Sequence, residues 1–127
     1  MQTVHIIALL AVVQYLVFGF LVGRARGRYG VKAPATTGNE HFERAYRVQM
    51  NSLEQLVGFI PALFIAALYW PSSMVAAIGA IYLIGRLLYR NAYVRNPASR
   101  GLGFLLTIAP TTLLILAGLA GALRALL

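Results

Sequence analysis

The chain has 127 residues, of which 60% are hydrophobic and 11% charged, with eleven Lys/Arg against three Asp/Glu and a formal net charge of +8. A soluble domain carries about 25% charged residues, so this composition excludes an ordinary soluble domain and reads as one membrane-embedded domain over residues 1–127. Nucleic-acid binding is excluded for want of an exposed soluble face. The absence of cysteine removes disulfides, thiolate metal ligands and a cysteine nucleophile, and the two histidines, His5 and His41, are too far apart in sequence to predict a metal centre.

Four apolar spans are predicted. The first runs from about Thr3 to Gly23, close to the 20 residues a bilayer core requires. It lacks a basic leader segment and its apolar run is too long for a signal peptide, so it is expected to be retained. It ends in Arg24, Arg26 and Arg28, and a loop follows to about His41. The second span runs from Phe42 to Trp70, where Pro71 stops it; it exceeds the bilayer core, so its first turns should project into the headgroup region. Ser72 and Ser73 make a short turn, and the third span runs from Ser73 to Val94. Asn96 is expected to N-cap a fourth helix with Pro97 at its first position, which would place Arg100 in its first turn.

The loop charges set an orientation. The first loop region holds Arg24, Arg26, Arg28 and Lys32, and the third holds Arg90, Arg95 and Arg100; the second holds none. The positive-inside rule puts loops one and three in the cytoplasm and both termini on the opposite side. Short loops and an Ala/Gly/Leu/Arg-rich composition point to a bacterial inner membrane.

The second span opens on the segment FERAYRVQMNSLE, Phe42 to Glu54. Ionisable groups in a span are costly and mark functional sites. At 3.6 residues per turn, Glu43, Arg44, Arg47, Asn51 and Glu54 fall on one face, which Gly58 and Pro61 continue. On the third span Tyr82, Arg86, Tyr89, Arg90 and Tyr93 share a face at the same depth. Guanidinium groups hold carboxylates bidentately, Glu54 accepts an ammonium, and Asn51 donates and accepts. A small zwitterion with more carboxylates than amines fits this set, and glutathione has two carboxylates, one amine and a thiol. Arg100 at a helix start would stabilise a thiolate, and Tyr89 or Tyr93 would add a hydrogen bond to the sulfur.

Each residue also has a plainer role open to it. Arg24, Arg26, Arg28 and Lys32 serve as topology signals; Arg44 snorkels and Glu43 pairs locally; the tyrosines form an interfacial belt; Gln14 packs against another helix. Gln49 points away from the main face of its helix, toward a helix interface or a site shared between subunits. An Arg47–Glu54 pair can be structural alone.

FERAYRVQMNSLE resembles the signature of the MAPEG family, the membrane-associated proteins in eicosanoid and glutathione metabolism. The likeness lies with the leukotriene C synthase and microsomal glutathione transferase branch, and YLIGRLLYRNAYVRNPASR and the ATTG loop match as well. The resemblance implies an all-α, integral membrane four-helix bundle, assembled as a homotrimer with glutathione between subunits near the cytosolic face. It implies that Arg26, Arg47, Gln49, Asn51, Glu54, Tyr89 and Tyr93 contact glutathione, that Arg86 lies near the same pocket, and that Arg100, with Tyr89 and Tyr93, is catalytic. Gln49 would serve the adjacent subunit. The chain departs from the leukotriene synthase branch at Gln55, where that branch has tyrosine, at Leu88, where it has arginine, and at Arg26-Gly27-Arg28, where it has consecutive arginines.

The expected activity is therefore conjugation of glutathione to lipophilic electrophiles that enter from the membrane lipids. Reduction of lipid hydroperoxides is a companion activity that requires a second glutathione. Two other classes compete: a non-catalytic lipid-binding scaffold of the same family, and a small multidrug transporter with Glu54 as its proton-coupled carboxylate. The arginines around Glu54 disfavour a cation exporter.

Overall fold

A computed structural model describes residues 1–127. It contains four long helices and no strand: α1 (Gln2–Tyr29), α2 (Glu40–Tyr69), α3 (Ser72–Arg95) and α4 (Gly101–Leu126), with a short 3₁₀ turn, Pro97–Ser99, before α4. All four are long and apolar enough to cross a membrane, and the protein is an integral membrane four-helix bundle. Helices α2 and α3 pack against each other and against both α1 and α4, so α1 and α4 lie on opposite sides of the central pair.

Helix ends follow local chemistry. Helix α1 stops at Gly30, which takes the left-handed conformation (φ 70°) and returns its N–H to the Arg26 carbonyl. Asn39 caps α2, its side chain accepting the Phe42 N–H at 3.1 Å, and Glu40 and Glu43 sit in the first turn, where the helix dipole favours negative charge. Helix α2 thus starts two residues earlier than the apolar pattern predicts. At 30 residues it is about 45 Å long, beyond the roughly 30 Å of bilayer hydrocarbon. It continues unbroken through Pro61 and ends at Tyr69, leaving only Trp70 and Pro71 before α3.

The start of α4 differs from the sequence-based expectation. Asn96 does act as a cap, accepting the Ala98 N–H at 3.2 Å, but the segment it caps is the 3₁₀ turn with Pro97 at its start. Helix α4 begins at Gly101, and Arg100 is its N-cap residue rather than a member of its first turn. The reason is local: Ser99 bonds back to the Ala92 and Asn96 carbonyls and tightens the turn before the helix can start.

The main core joins Val4, Ala8 and Ala11 of α1 to Leu56, Phe59 and Leu63 of α2, Val75 and Tyr82 of α3, and Leu114 of α4. The Phe59 and Tyr82 rings stack at 3.8 Å. Large apolar side chains such as Leu9, Leu16, Phe20, Val57 and Leu68 point outward, as lipid requires and water would not tolerate over so large an area.

Small residues set the α3–α4 spacing, as is usual for membrane helices. A β-carbon on Gly85 would lie 2.6 Å from the Leu106 carbonyl oxygen, the oxygen that Pro110, lacking an N–H, leaves free. One turn nearer the basic end, Gly103 abuts the backbone of Tyr89 so closely that a β-carbon there would collide with the Tyr89 nitrogen. Gly103→Val is expected to push α4 off Tyr89 and destabilise the bundle by about 1–3 kcal/mol. Thermal unfolding in detergent checks this against Leu102→Val, which alters an exposed neighbour and should leave the transition nearly unchanged.

Candidate functional site

The polar residues gather at one end of the bundle. Ten of the eleven Lys/Arg lie between Arg24 and Lys32 or between Arg44 and Arg100, and all three acids lie between Glu40 and Glu54; only Arg124 belongs to the other end. The start of α2 is clamped there. Arg44 pairs with Glu40 and donates to the Val94 and Arg95 carbonyls at 3.3 and 3.2 Å, closing the C-terminus of α3 against α2. Glu43 accepts the Gly38 N–H at 3.2 Å and holds the first loop.

Of the two faces predicted from helical spacing, Glu43, Arg44 and Arg47 of α2 meet Tyr93 of α3 in one cleft. On α2, Arg47 and Glu54 form an ion pair across two turns at 3.2 Å, with side chains 50% and 57% exposed. Asn51 lies between them, its side-chain oxygen buried without a hydrogen-bond partner. On α3, the Tyr89 and Tyr93 rings stack at 5.5 Å, and the Arg86 guanidinium sits 4.3 Å over the Tyr89 ring. Tyr93 and Arg47 line one cleft of about 530 Å³ with Thr36, Glu40, Glu43 and Tyr46. Arg100 stands exposed at the start of α4, one turn from the Gly103–Tyr89 contact, donating to the Pro97 carbonyl at 2.9 Å.

Arg86 is 1% exposed. Its Nη2 donates to Ser52 Oγ at 2.7 Å, and Ser52 donates in turn to the Val48 carbonyl at 2.8 Å. Its Nε and Nη1 have no partner. A buried guanidinium is costly unless paired; here the Tyr89 ring and the Ser52 hydroxyl compensate it.

A model of the MAPEG family matches residues 4–120. The chain belongs to the MAPEG family. It is 46% identical over 114 residues to an uncharacterized protein of Synechocystis sp., covering 90% of this chain and 83% of that one. It is 36% identical over 115 residues to microsomal glutathione S-transferase 2 of Homo sapiens, covering 91% of this chain and 78% of the relative. Leukotriene C4 synthase of Cavia porcellus is 37% identical over 94 residues, which are 74% of this chain and 63% of that enzyme.

The geometry divides the MAPEG motif. Arg47, Asn51 and Glu54 share one side of α2, and Arg47 lines the same cleft as Tyr93. Gln49 points instead to α1, where a β-carbon on Gly19 would lie 2.7 Å from its side-chain nitrogen. Arg26 lies on that same α1–α2 side, donating to the Ala35 carbonyl at 2.6 Å with its guanidinium 4.7 Å over the Phe42 ring. Within one chain Arg26 and Gln49 therefore stand apart from the Arg47 row. Arg90, expected beside the tyrosines, turns from them to line a second cleft with Arg24 and Arg28.

Ser52 escaped the sequence reading because a serine in a span usually bonds its own helix. The signal was present in Arg86: a guanidinium on an apolar helix demands an acceptor from a neighbour. Ser52→Ala is expected to leave Arg86 without a hydrogen-bond acceptor and to cost about 1–3 kcal/mol. A fall in the detergent melting temperature, absent in the exposed Ser73→Ala control, is the measurement.

Proposed function

We propose that this MAPEG protein is a glutathione transferase that conjugates glutathione to lipophilic electrophiles arriving from the bilayer. The observation that carries the reading is the α2 row Arg47–Asn51–Glu54, with the unpartnered Asn51 oxygen at its centre and Arg47 sharing a cleft with Tyr93 of the stacked Tyr89–Tyr93 pair. An exposed surface ion pair contributes little to stability, so Arg47 and Glu54 are free to exchange each other for a ligand's carboxylate and ammonium. Similarity to chains named microsomal glutathione S-transferase supports glutathione as that ligand.

Arg47 holds a glutathione carboxylate, Glu54 the ammonium and Asn51 a peptide group. Arg86 positions Tyr89 through its ring and does not reach the ligand itself. Arg100 and Tyr93 stabilise the thiolate, Tyr89 supports Tyr93, and the thiol proton passes to solvent. The sulfur attacks the electrophilic carbon, a C–S bond forms, and the leaving group departs with its electron pair. Gln55 in place of the leukotriene branch's tyrosine argues for broader acceptors than leukotriene precursors.

The separation of Arg26 and Gln49 from the Arg47 row supports a homotrimer in which they complete the site of the adjacent subunit. The basic end faces the cytoplasm of a bacterial inner membrane, both termini lie on the opposite side, and the whole chain acts as one domain.

Arg100→Ala is expected to lower kcat/KM for glutathione with 1-chloro-2,4-dinitrobenzene by about 100-fold while leaving the glutathione Kd within about threefold. Glu54→Gln should weaken glutathione binding instead, by roughly tenfold or more. Turnover rates and calorimetric titration of the purified protein separate the two. Unchanged turnover in Arg100→Ala would remove it from the chemistry, and a wild-type protein that binds no glutathione would leave a lipid-binding scaffold as the function.

A further inference from the structure

The second cleft lies away from the Arg47 row, where α1, α2 and α3 meet at the basic end, and encloses about 310 Å³. Arg24 and Arg28 enter from α1, one turn apart, and Arg90 enters from α3. The Tyr29 and His41 rings, stacked at 5.4 Å, form one wall. No carboxylate lines this space. The chain's two ion pairs belong to Arg44 and Arg47. Arg90 reaches only Asn91, at 3.4 Å, and Arg28 lies over the Tyr29 ring.

A topology signal requires basic residues on one side of the membrane; it does not require three of them, from two helices, to converge. Convergent like charges repel unless an anion sits among them. The floor says which anion. Leu21, Ala45 and Val94 make it apolar. A cationic mouth over an apolar floor, at the level where the spans leave the hydrocarbon, suits a molecule with an anionic head and acyl chains. Glutathione does not suit it, because nothing there accepts an ammonium.

We propose that this cleft binds the phosphate of an anionic phospholipid, with Arg24, Arg28 and Arg90 as its ligands and the Tyr29–His41 wall as its shoulder. The bound lipid ties the end of α1 to α3. It is a site distinct from the conjugation site and does not depend on that assignment.

The test is native mass spectrometry of the full chain released from detergent micelles containing phosphatidylglycerol or phosphatidylcholine. The wild type is expected to retain phosphatidylglycerol with a preference of at least about tenfold, in line with three surface arginines acting on one anionic lipid. The triple variant Arg24→Gln/Arg28→Gln/Arg90→Gln should lose that preference, while Arg95→Gln/Arg124→Gln, which removes two exposed arginines outside the cleft, should keep it. Arg90→Gln alone should reduce the preference, which keeps the test decisive if the triple variant does not fold. Equal retention of the two lipids by the wild type would overturn the proposal, as would a preference that survives in Arg90→Gln and the triple variant alike. A third arm adds inorganic phosphate alone. A thermal shift matching that of phosphatidylglycerol and lost with the same arginines would assign the cleft to free phosphate and overturn the lipid.

Discussion

Arg86 is the constraint around which the basic half of the bundle is arranged. A guanidinium buried to 1% exposure inside a membrane span cannot be left to lipid. It needs a hydroxyl from α2, and Ser52 supplies it at 2.7 Å. It needs an aromatic face, and Tyr89 supplies that one turn along α3. The Ser52 contact ties α2 to α3, and the Tyr89 contact orients that ring on α3. The backbone of Tyr89 then has to admit α4, and Gly103 is the residue that lets it approach. Ring orientation and helix spacing therefore converge on the tyrosine next to the candidate site.

The second organising fact is that α2 works on two sides at its polar end. One side carries Arg47, Asn51 and Glu54, with Arg47 in the cleft that Tyr93 and Pro97 also line. The other carries Gln49 against Gly19, and Phe42 beneath Arg26. Between them, Arg44 and Glu43 hold the ends of α3 and of the first loop. A helix about 15 Å longer than the hydrocarbon can carry all three kinds of residue, because its first turns need not be apolar.

Much of this was legible in the sequence. Apolar spans bounded by the Arg cluster after Gly23, by Pro71 and by Asn96–Pro97 pointed to four helices, while the caps at Gly30 and Asn39 emerged only in the structure. The stacking of Arg47, Asn51 and Glu54 followed from helical period alone, and FERAYRVQMNSLE pointed to the family that the residue 4–120 match establishes. What failed were mostly statements needing a second element, with one local exception at the start of α4. Arg90 shares a helical arc with Tyr89 and Tyr93, yet the position of α1 draws it into a separate cleft with Arg24 and Arg28. Arg44 looked like a residue that snorkels, and it instead caps the carbonyls at the end of α3. Asn96 and Pro97 carry the expected helix-start chemistry, but the hydroxyl of Ser99 tightens the segment into a 3₁₀ turn and moves the start of α4 past Arg100.

The sequence by itself determined a membrane protein of four helices, its family, and a polar row on α2 with the chemistry to hold a zwitterion. Those properties reside in composition, period and motif, which one strand of text contains. Only the tertiary structure decided which cations are committed and which stand free. Arg26, Arg44 and Arg86 each donate to atoms between nine and fifty-one residues away in sequence, while Arg24, Arg28 and Arg90 converge without a carboxylate. Pairing depends on which helix faces which, and that is set by the packing of small residues and the burial of one arginine, neither of which has a period to read.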